Sequence, residues 1–398
     1  MIATEITPQL DTIPLVDVAW QHRQVRAQID AAWDQHVTDP TCDGAHFCKK
    51  LEAEFVAHFG EGSYAVSVQS GLAAQFLALK AIGVGVGDEV ITVPNSDMAT
   101  TGAISHTGAR PVLVDVDATH NIDPTQIEAA ITPRTRAILP VHLYGRPAEM
   151  EAVCAIARKH NLWVVEDATL ALGAAYHGHK AGLLGDAAFF SFAPRKVLGG
   201  LGNGGMVVTR SEELARHVGL LKGYGLDPAN GERPIAERHQ FSKLSHLLEG
   251  YNLKMDGLNA AVVSAKFAHL EAWNALRNAI AQRYSAAFAV LDGVDTPDVP
   301  AHIRHAWRNY VVTVPEGQRD AMRESMRLQG VTTSTLYAPP VHLQPVYAEM
   351  KLGEGSFPVA EALSRQVICL PIYPGMNEDQ VDRVIAAFKS SFFATQTS

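Results

Sequence analysis

The chain has 398 residues, 47% of them hydrophobic and 19% charged, the composition of a globular protein of two or three domains at roughly 150 residues each, which excludes a mini-protein or a disordered chain. Acidic residues outnumber basic ones 42 to 33, for a net charge of −9. No run of Lys or Arg offers a surface to nucleic acid or anionic lipid, so neither is an expected partner.

The first twenty residues carry Glu5, Asp11 and Asp17 among their apolar positions, and no later stretch approaches the roughly 18 apolar residues of a membrane span. Cys42, Cys48, Cys154 and Cys369 fit neither a CxxC redox pair nor a zinc set. A cytoplasmic protein with no metal and no membrane attachment is expected.

From about residue 64 to 209, short apolar runs alternate with amphipathic stretches. The runs are Tyr64 to Val68, Glu89 to Val93, Pro111 to Val116, Ala137 to Val141, Leu162 to Val165, Ala187 to Phe192 and Gly205 to Thr209. Most are apolar at consecutive positions, as in strands covered on both faces, and predict a mainly parallel seven-stranded α/β sheet. Gly71 to Ala81 and Met150 to His160 read as helices. The first follows Ser70 directly, giving a strand, a tight turn and a helix N-terminus able to hold an anion. Gly83, Gly85 and Gly87 precede a strand rather than follow one, which is a turn and the wrong order for a dinucleotide fingerprint. His177 and His179 bracket a glycine, as in a polar hairpin turn.

Gly223 to His246 is a long polar connection, a candidate active-site or interface loop. Asp256 to Leu291 predicts one or two long helices. Beyond residue 290 the pattern becomes a strand at Asn309 to Val314, a helix near Gln318 to Gln329, a Pro-rich loop through Pro339, Pro340 and Pro345, and a last helix from Glu378 to Phe388. The expected division is an N-terminal segment (1–40) packing on the small domain, a large α/β domain (41–256), a connecting helical region (257–290) and a small C-terminal α+β domain (291–398).

Ligands of open α/β sheets bind beyond the carboxyl ends of the strands. Three strands end in polar residues there. One reaches Glu166 and Asp167, one reaches Ser191 with Lys196 five residues later, and one reaches Ser70 and Gly71 before a helix. A carboxylate, an amine and an anion site suit pyridoxal phosphate, whose aldehyde, ring nitrogen and phosphate need these three partners.

The sequence resembles the sugar aminotransferases of the DegT/DnrJ/EryC1/StrS group, fold-type I enzymes dependent on pyridoxal phosphate. The resemblance runs from Ile13-Pro14-Leu15-Val16-Asp17 through Pro111 to Asp117, Pro140-Val141-His142-Leu143-Tyr144-Gly145 and Glu166-Asp167-Ala168. It continues through Gly185 to Phe192, Lys196 to Gly205, Gly250 to Asp256 and Pro340 to Pro345, and closes at Leu370 to Met376. It implies that Lys196 is the Schiff-base lysine, that Asp167 partners the pyridinium nitrogen, and that Ser191 with Ser70, Gly71 and Leu72 cradles the phosphate. Asn252 then reaches the phosphate of a neighbouring subunit in a homodimer with active sites at the interface. Tyr337 and His342 lie in a loop resembling the family's substrate-facing edge.

Leu72, Met98, Leu170 and Leu336 stand where the family commonly has Thr, an aromatic residue, Gln and His, which makes the cofactor pocket more apolar. Arg195 replaces a common Thr; its charge lowers the pKa of Lys196 or holds an anionic substrate group, or else it is an ordinary solvated or ion-paired arginine. The resemblance implies transfer of an amino group from a small-molecule donor, glutamate or glutamine, to a keto sugar, nucleotide-linked, in antibiotic or polysaccharide biosynthesis. An altered reaction on the same cofactor (epimerase, dehydratase or oxidase) and a non-catalytic, cofactor-binding regulatory protein are the alternatives. The family's dehydratases carry His where Lys196 stands, which argues against that one.

Overall fold

A computed structural model describes residues 12–227 and 245–396. Most of the predicted loop between Gly223 and His246 therefore lies outside the described residues. The predicted strands form one seven-stranded sheet: β1 (Tyr64–Val68), β2 (Glu89–Thr92), β3 (Arg110–Leu113), β4 (Thr135–Ile138), β5 (Trp163–Asp167), β8 (Ala187–Ser191) and β9 (Gly205–Thr209). A short hairpin, β6 (Ala175–Tyr176) and β7 (His179–Lys180), intervenes in sequence and turns at His177 and Gly178, both at positive φ. The sheet order is β1-β9-β8-β5-β4-β2-β3, and β9 alone runs against its neighbours.

The unbroken apolar runs follow from burial on both faces. In β8, Phe189 joins one core with Val68, Leu77 and Val218, while Phe190 joins another with Leu51, Phe55 and Met206. Phe55 packs edge-on against Phe190 and Phe192, each with ring centroids 5.6 Å away. Residues one apart thus serve opposite faces, so a polar side chain at either place would be buried.

The predicted long helical region divides at Ala268 and His269 into Gly257–Phe267 and Leu270–Phe288. The second helix enters a separate core. There Ile280, Tyr284 and Phe288 meet Ile13, Tyr310, Met322, Ile368 and Phe388. Tyr310–Thr313 and Val367–Leu370 form an antiparallel pair, with helices Arg319–Leu328 and Glu378–Gln396 beside it. The last helix passes its expected end at Phe388. Lys389-Ser390-Ser391 looks like a polar stop, yet Ser391 is fully buried and its Oγ donates to Ser325 Oγ at 2.8 Å.

The run after β3 also ends earlier than its apolar character suggests. Asp115 turns inward and accepts the backbone amides of Val359 and Ala360 at 2.9 and 3.0 Å. A buried carboxylate at that helix start satisfies amides that have no intrahelical acceptor, and ties residues 358–366 to the large sheet.

Candidate active site

The carboxyl ends of β1, β5 and β8 converge, and glycines make the approach possible. A Cβ on Gly71 would lie 2.6 Å from Ser191 Cβ, and one on Gly205 would lie 2.3 Å from the Ser70 carbonyl. The helix Gly71–Ala81 begins there, with Ser70 Oγ accepting the Ala73 amide at 3.1 Å. That cap leaves the amides of Gly71 and Leu72, which have no acceptor within a helix, available to an anion. Leu72 is partly exposed and contributes its backbone.

Asp167 ends β5 and is buried. Its Oδ1 accepts the Thr169 hydroxyl at 2.7 Å and the Thr169 amide at 3.1 Å, and its Oδ2 accepts the Thr100 hydroxyl at 3.3 Å. Burial raises its pKa, against the hydrogen bonds from Thr169 and the charge of Lys196. A cationic N–H on this carboxylate would offset that desolvation. Behind it, Glu166 takes the amides of Gly182, Leu184 and Gly185 and the Nε2–H of His142 at 2.9 Å. His142 Nδ1 accepts the Ala148 amide, which fixes that tautomer, and the His142 amide donates to the Asp167 carbonyl. Glu166 and His142 hold the strand end rigid, a role that adjacency to Asp167 did not reveal.

Lys196 sits in the loop after β8. Among the described residues its amine has no hydrogen-bond partner, and burial lowers its pKa, with Arg308 adding to the effect and Asp167 opposing it. The loop is held from below by the two helices after residue 256. Arg277 donates to the Val197 carbonyl at 3.1 Å, Lys266 donates to the Gly199 carbonyl, and Asn259 bonds Gly202 and Asn203. Gly199 is obligatory, since a Cβ there would fall 1.9 Å from the Pro194 carbonyl oxygen.

The other predicted residues divide. Tyr337 faces the cluster. Its ring stacks on Tyr144 at 6.1 Å, and the charges of Asp97, Asp167 and Arg308 act on its hydroxyl. Leu170 is buried in the large-sheet core, and its carbonyl oxygen would stand 2.9 Å from a Cβ on Gly145. Met98 opens a helix and is 38% exposed, whereas its neighbour Asp97 is the residue whose charge acts on Lys196 and Tyr337. Asn252 is exposed in a segment bridged to Gly223 and joined to β1 through the Gln69 amide on the Leu253 carbonyl.

His342 does not join the cluster. Its ring is buried against Phe357 and bonded through Nε2 to Glu361 at 3.0 Å. Arg195 is exposed and acts on Arg308; the cation set against Lys196 is Arg308 itself. Arg308 was not singled out because an Arg between Trp and Asn in an apolar run carries no motif. Its significance comes from the chain reversal that brings it back to β5.

An unpaired amine, a buried acid and a helix start closed against Ser191 meet the three requirements of pyridoxal phosphate. The cradle is tight enough that no side chain occupies it.

Comparison with known proteins agrees. The model of the DegT/DnrJ/EryC1/StrS aminotransferase family matches residues 26–389. The chain is 40% identical to the dTDP-3-amino-3,4,6-trideoxy-alpha-D-glucose transaminase of Streptomyces venezuelae, over 95% of each chain. It is 39% identical to a pleiotropic regulatory protein of Geobacillus stearothermophilus, over 94% of this chain and 96% of that one. The crystal structure of S. venezuelae DesV in complex with a ketimine intermediate superposes with a TM-score of 0.86 at 39% identity, covering 96% of this chain and 98% of that one.

Proposed function

Since this chain belongs to the DegT/DnrJ/EryC1/StrS aminotransferase family and is a pyridoxal phosphate-dependent aminotransferase, we propose that it carries an amino group from glutamate or glutamine to a nucleotide-linked keto sugar. The observation that carries this reading is the unpartnered Lys196 amine beside the buried carboxylate of Asp167. A regulatory protein that had abandoned chemistry would have no use for a desolvated amine and an acid left short of a cation.

Pyridoxal phosphate supplies an electrophilic carbonyl and an electron-withdrawing ring. The rest falls to the protein. Ser70, Gly71, Leu72 and Ser191 would hold the phosphate, and the buried Asp167 carboxylate would keep a proton on the ring nitrogen by opposing its charge. Lys196 Nζ, shifted downward by burial, is available as a free amine nearer neutral pH than an exposed lysine. It then takes a proton from the donor's α-carbon and returns one to the acceptor.

A homodimer completes this reading. Residues 223–227 and 245–252 lie side by side, with Tyr224 donating its amide to the Tyr251 carbonyl and Leu247 to that of Gly225. They carry Tyr224, Leu226, Leu247 and Tyr251 exposed at 49%, 39%, 55% and 38%, an apolar patch of the kind that marks an interface. Asn252 lies within it, as a residue serving the neighbouring site requires. The division near residues 40, 256 and 290 belongs to the same reading and is supported by the separate cores. No described helix is long and apolar enough to cross a membrane, and the four cysteines are free, which fits a reducing cytoplasm.

The test is spectroscopic. Purified protein is expected to be yellow. Adding L-glutamate or L-glutamine without acceptor should convert it stoichiometrically to the amine form of the cofactor with release of a keto acid. Colour that no donor discharges would favour the altered-reaction alternative.

A further inference from the structure

Among the described residues, Arg308 is a cation without an anion. Its Nε is buried and has no acceptor, and no described carboxylate pairs with its guanidinium. The other buried cations nearby are satisfied: Arg277 by Asn274 and the Val197 carbonyl, Arg146 by Glu149, Lys266 by the Gly199 carbonyl. Arg308 is half-buried, and a guanidinium whose Nε is shut off from water with no acceptor costs free energy unless a ligand supplies the counter-charge.

The backbone around it is fixed. Trp307 adopts φ +51°, with the His305 ring stacked on its indole at 3.9 Å and its Nε1–H bonded to Asn278 at 3.0 Å. The Ala306 and Asn309 amides donate to the carbonyls of Gly145 and Tyr144 at 2.9 and 3.1 Å. Gly145 is so crowded that a Cβ would lie 2.9 Å from the Leu170 carbonyl oxygen and 3.2 Å from the Arg308 nitrogen. The residue is thus locked beside the segment that follows Asp167, and its charge acts on Lys196 and Tyr337.

We propose that Arg308 binds a carboxylate of the amino donor and so selects an amino acid as the nitrogen source; this rests on the transamination reading above. In an amino acid the α-carboxylate is attached to the very carbon whose proton Lys196 moves, so its counter-ion has to lie beside Lys196. The diphosphate of a nucleotide sugar is many bonds from the keto carbon and would need cations farther out. The planar fork of Arg suits a carboxylate bidentately, and lysine cannot reproduce that geometry.

The experiment uses holoenzyme, its Arg308→Gln and Arg308→Lys variants, and glutarate as a dicarboxylate lacking both amine and keto groups. Calorimetric titration of glutarate should show binding to wild type that weakens roughly 30-fold or more in R308Q. R308K should recover part of it. The L-glutamate concentration for half-maximal colour discharge should rise in parallel, at least ten times more than the acceptor concentration in the reverse half-reaction. Unchanged glutarate affinity in R308Q, or equal loss in both halves, would overturn the assignment. If no donor discharges the colour of wild type, the transamination reading fails, while the calorimetry still reports separately on Arg308. Cofactor stoichiometry near wild type in both R308Q and R308K shows that the variants are folded.

Discussion

Gly71 lies so close to Ser191 that a Cβ on the glycine would stand 2.6 Å from the serine Cβ. Helix start and strand end therefore meet without a side chain between them, and that contact fixes the separation of the Gly71 and Leu72 amides, the proposed phosphate ligands, from the Ser191 hydroxyl. Gly71→Ala must push the two apart. Overpacking of this kind costs about 1–3 kcal/mol, and the loss should fall on the cofactor. Titration of the apoprotein with pyridoxal phosphate is expected to show weaker binding with an unchanged far-ultraviolet circular dichroism spectrum.

Asp167→Asn keeps the size and most hydrogen bonds of the side chain and removes the charge. Cofactor should still bind, but the donor half-reaction, followed by stopped-flow absorbance, should slow by on the order of 10²- to 10³-fold, as when one electrostatic stabiliser is removed. A rate within a few-fold of wild type would show that the ring does not depend on this acid.

Stability should rise with pH in two windows. Burial holds His305 at about 3 and His58 at about 4, below the ordinary 6.5. The unfolded chain binds those protons first, so stability is lost as pH falls from 6.5 toward those values. Lys266 is held at about 7 against an ordinary 10.5, so its contribution is lost as pH falls from 10.5 to about 7. Each such group gives a slope of about 1.4 kcal/mol per pH unit at most. Urea unfolding of the apoprotein between about pH 7 and 8.5 should show a smaller slope in Lys266→Met than in wild type.

The exposed pair Leu247 and Tyr251 predicts a further effect. Leu247→Glu with Tyr251→Asp should convert a dimer to a monomer by sedimentation. Activity should fall with the monomer, because Asn252 would no longer reach its neighbour. A dimer that survives both charges would place the interface elsewhere.

The sheet was legible because each of its strands is a local apolar run, and β1 and β9 match their predicted limits residue for residue. Ends were less legible where a distant group decides them. β3 stops early because Asp115 caps a helix 244 residues away, and the last helix continues because Ser391 finds Ser325. The site divides in the same manner. Lys196, Asp167, Ser191 and Ser70 stand at strand ends and could be read from the chain. Arg308, Arg277, Lys266 and Asn259 act on the lysine loop from elements far along the sequence, with no spacing to betray them. His342 shows the converse: a histidine in a promising loop whose ring is committed to Glu361.

The proposed transamination requires Lys196 Nζ to be the amine joined to the cofactor. Reduction of the holoprotein with borohydride, proteolysis and mass spectrometry test it directly. One equivalent of pyridoxyl phosphate on the peptide containing Lys196 is the expected result, abolished in Lys196→Ala. An adduct on any other lysine, or none in a yellow wild-type protein, would contradict the account.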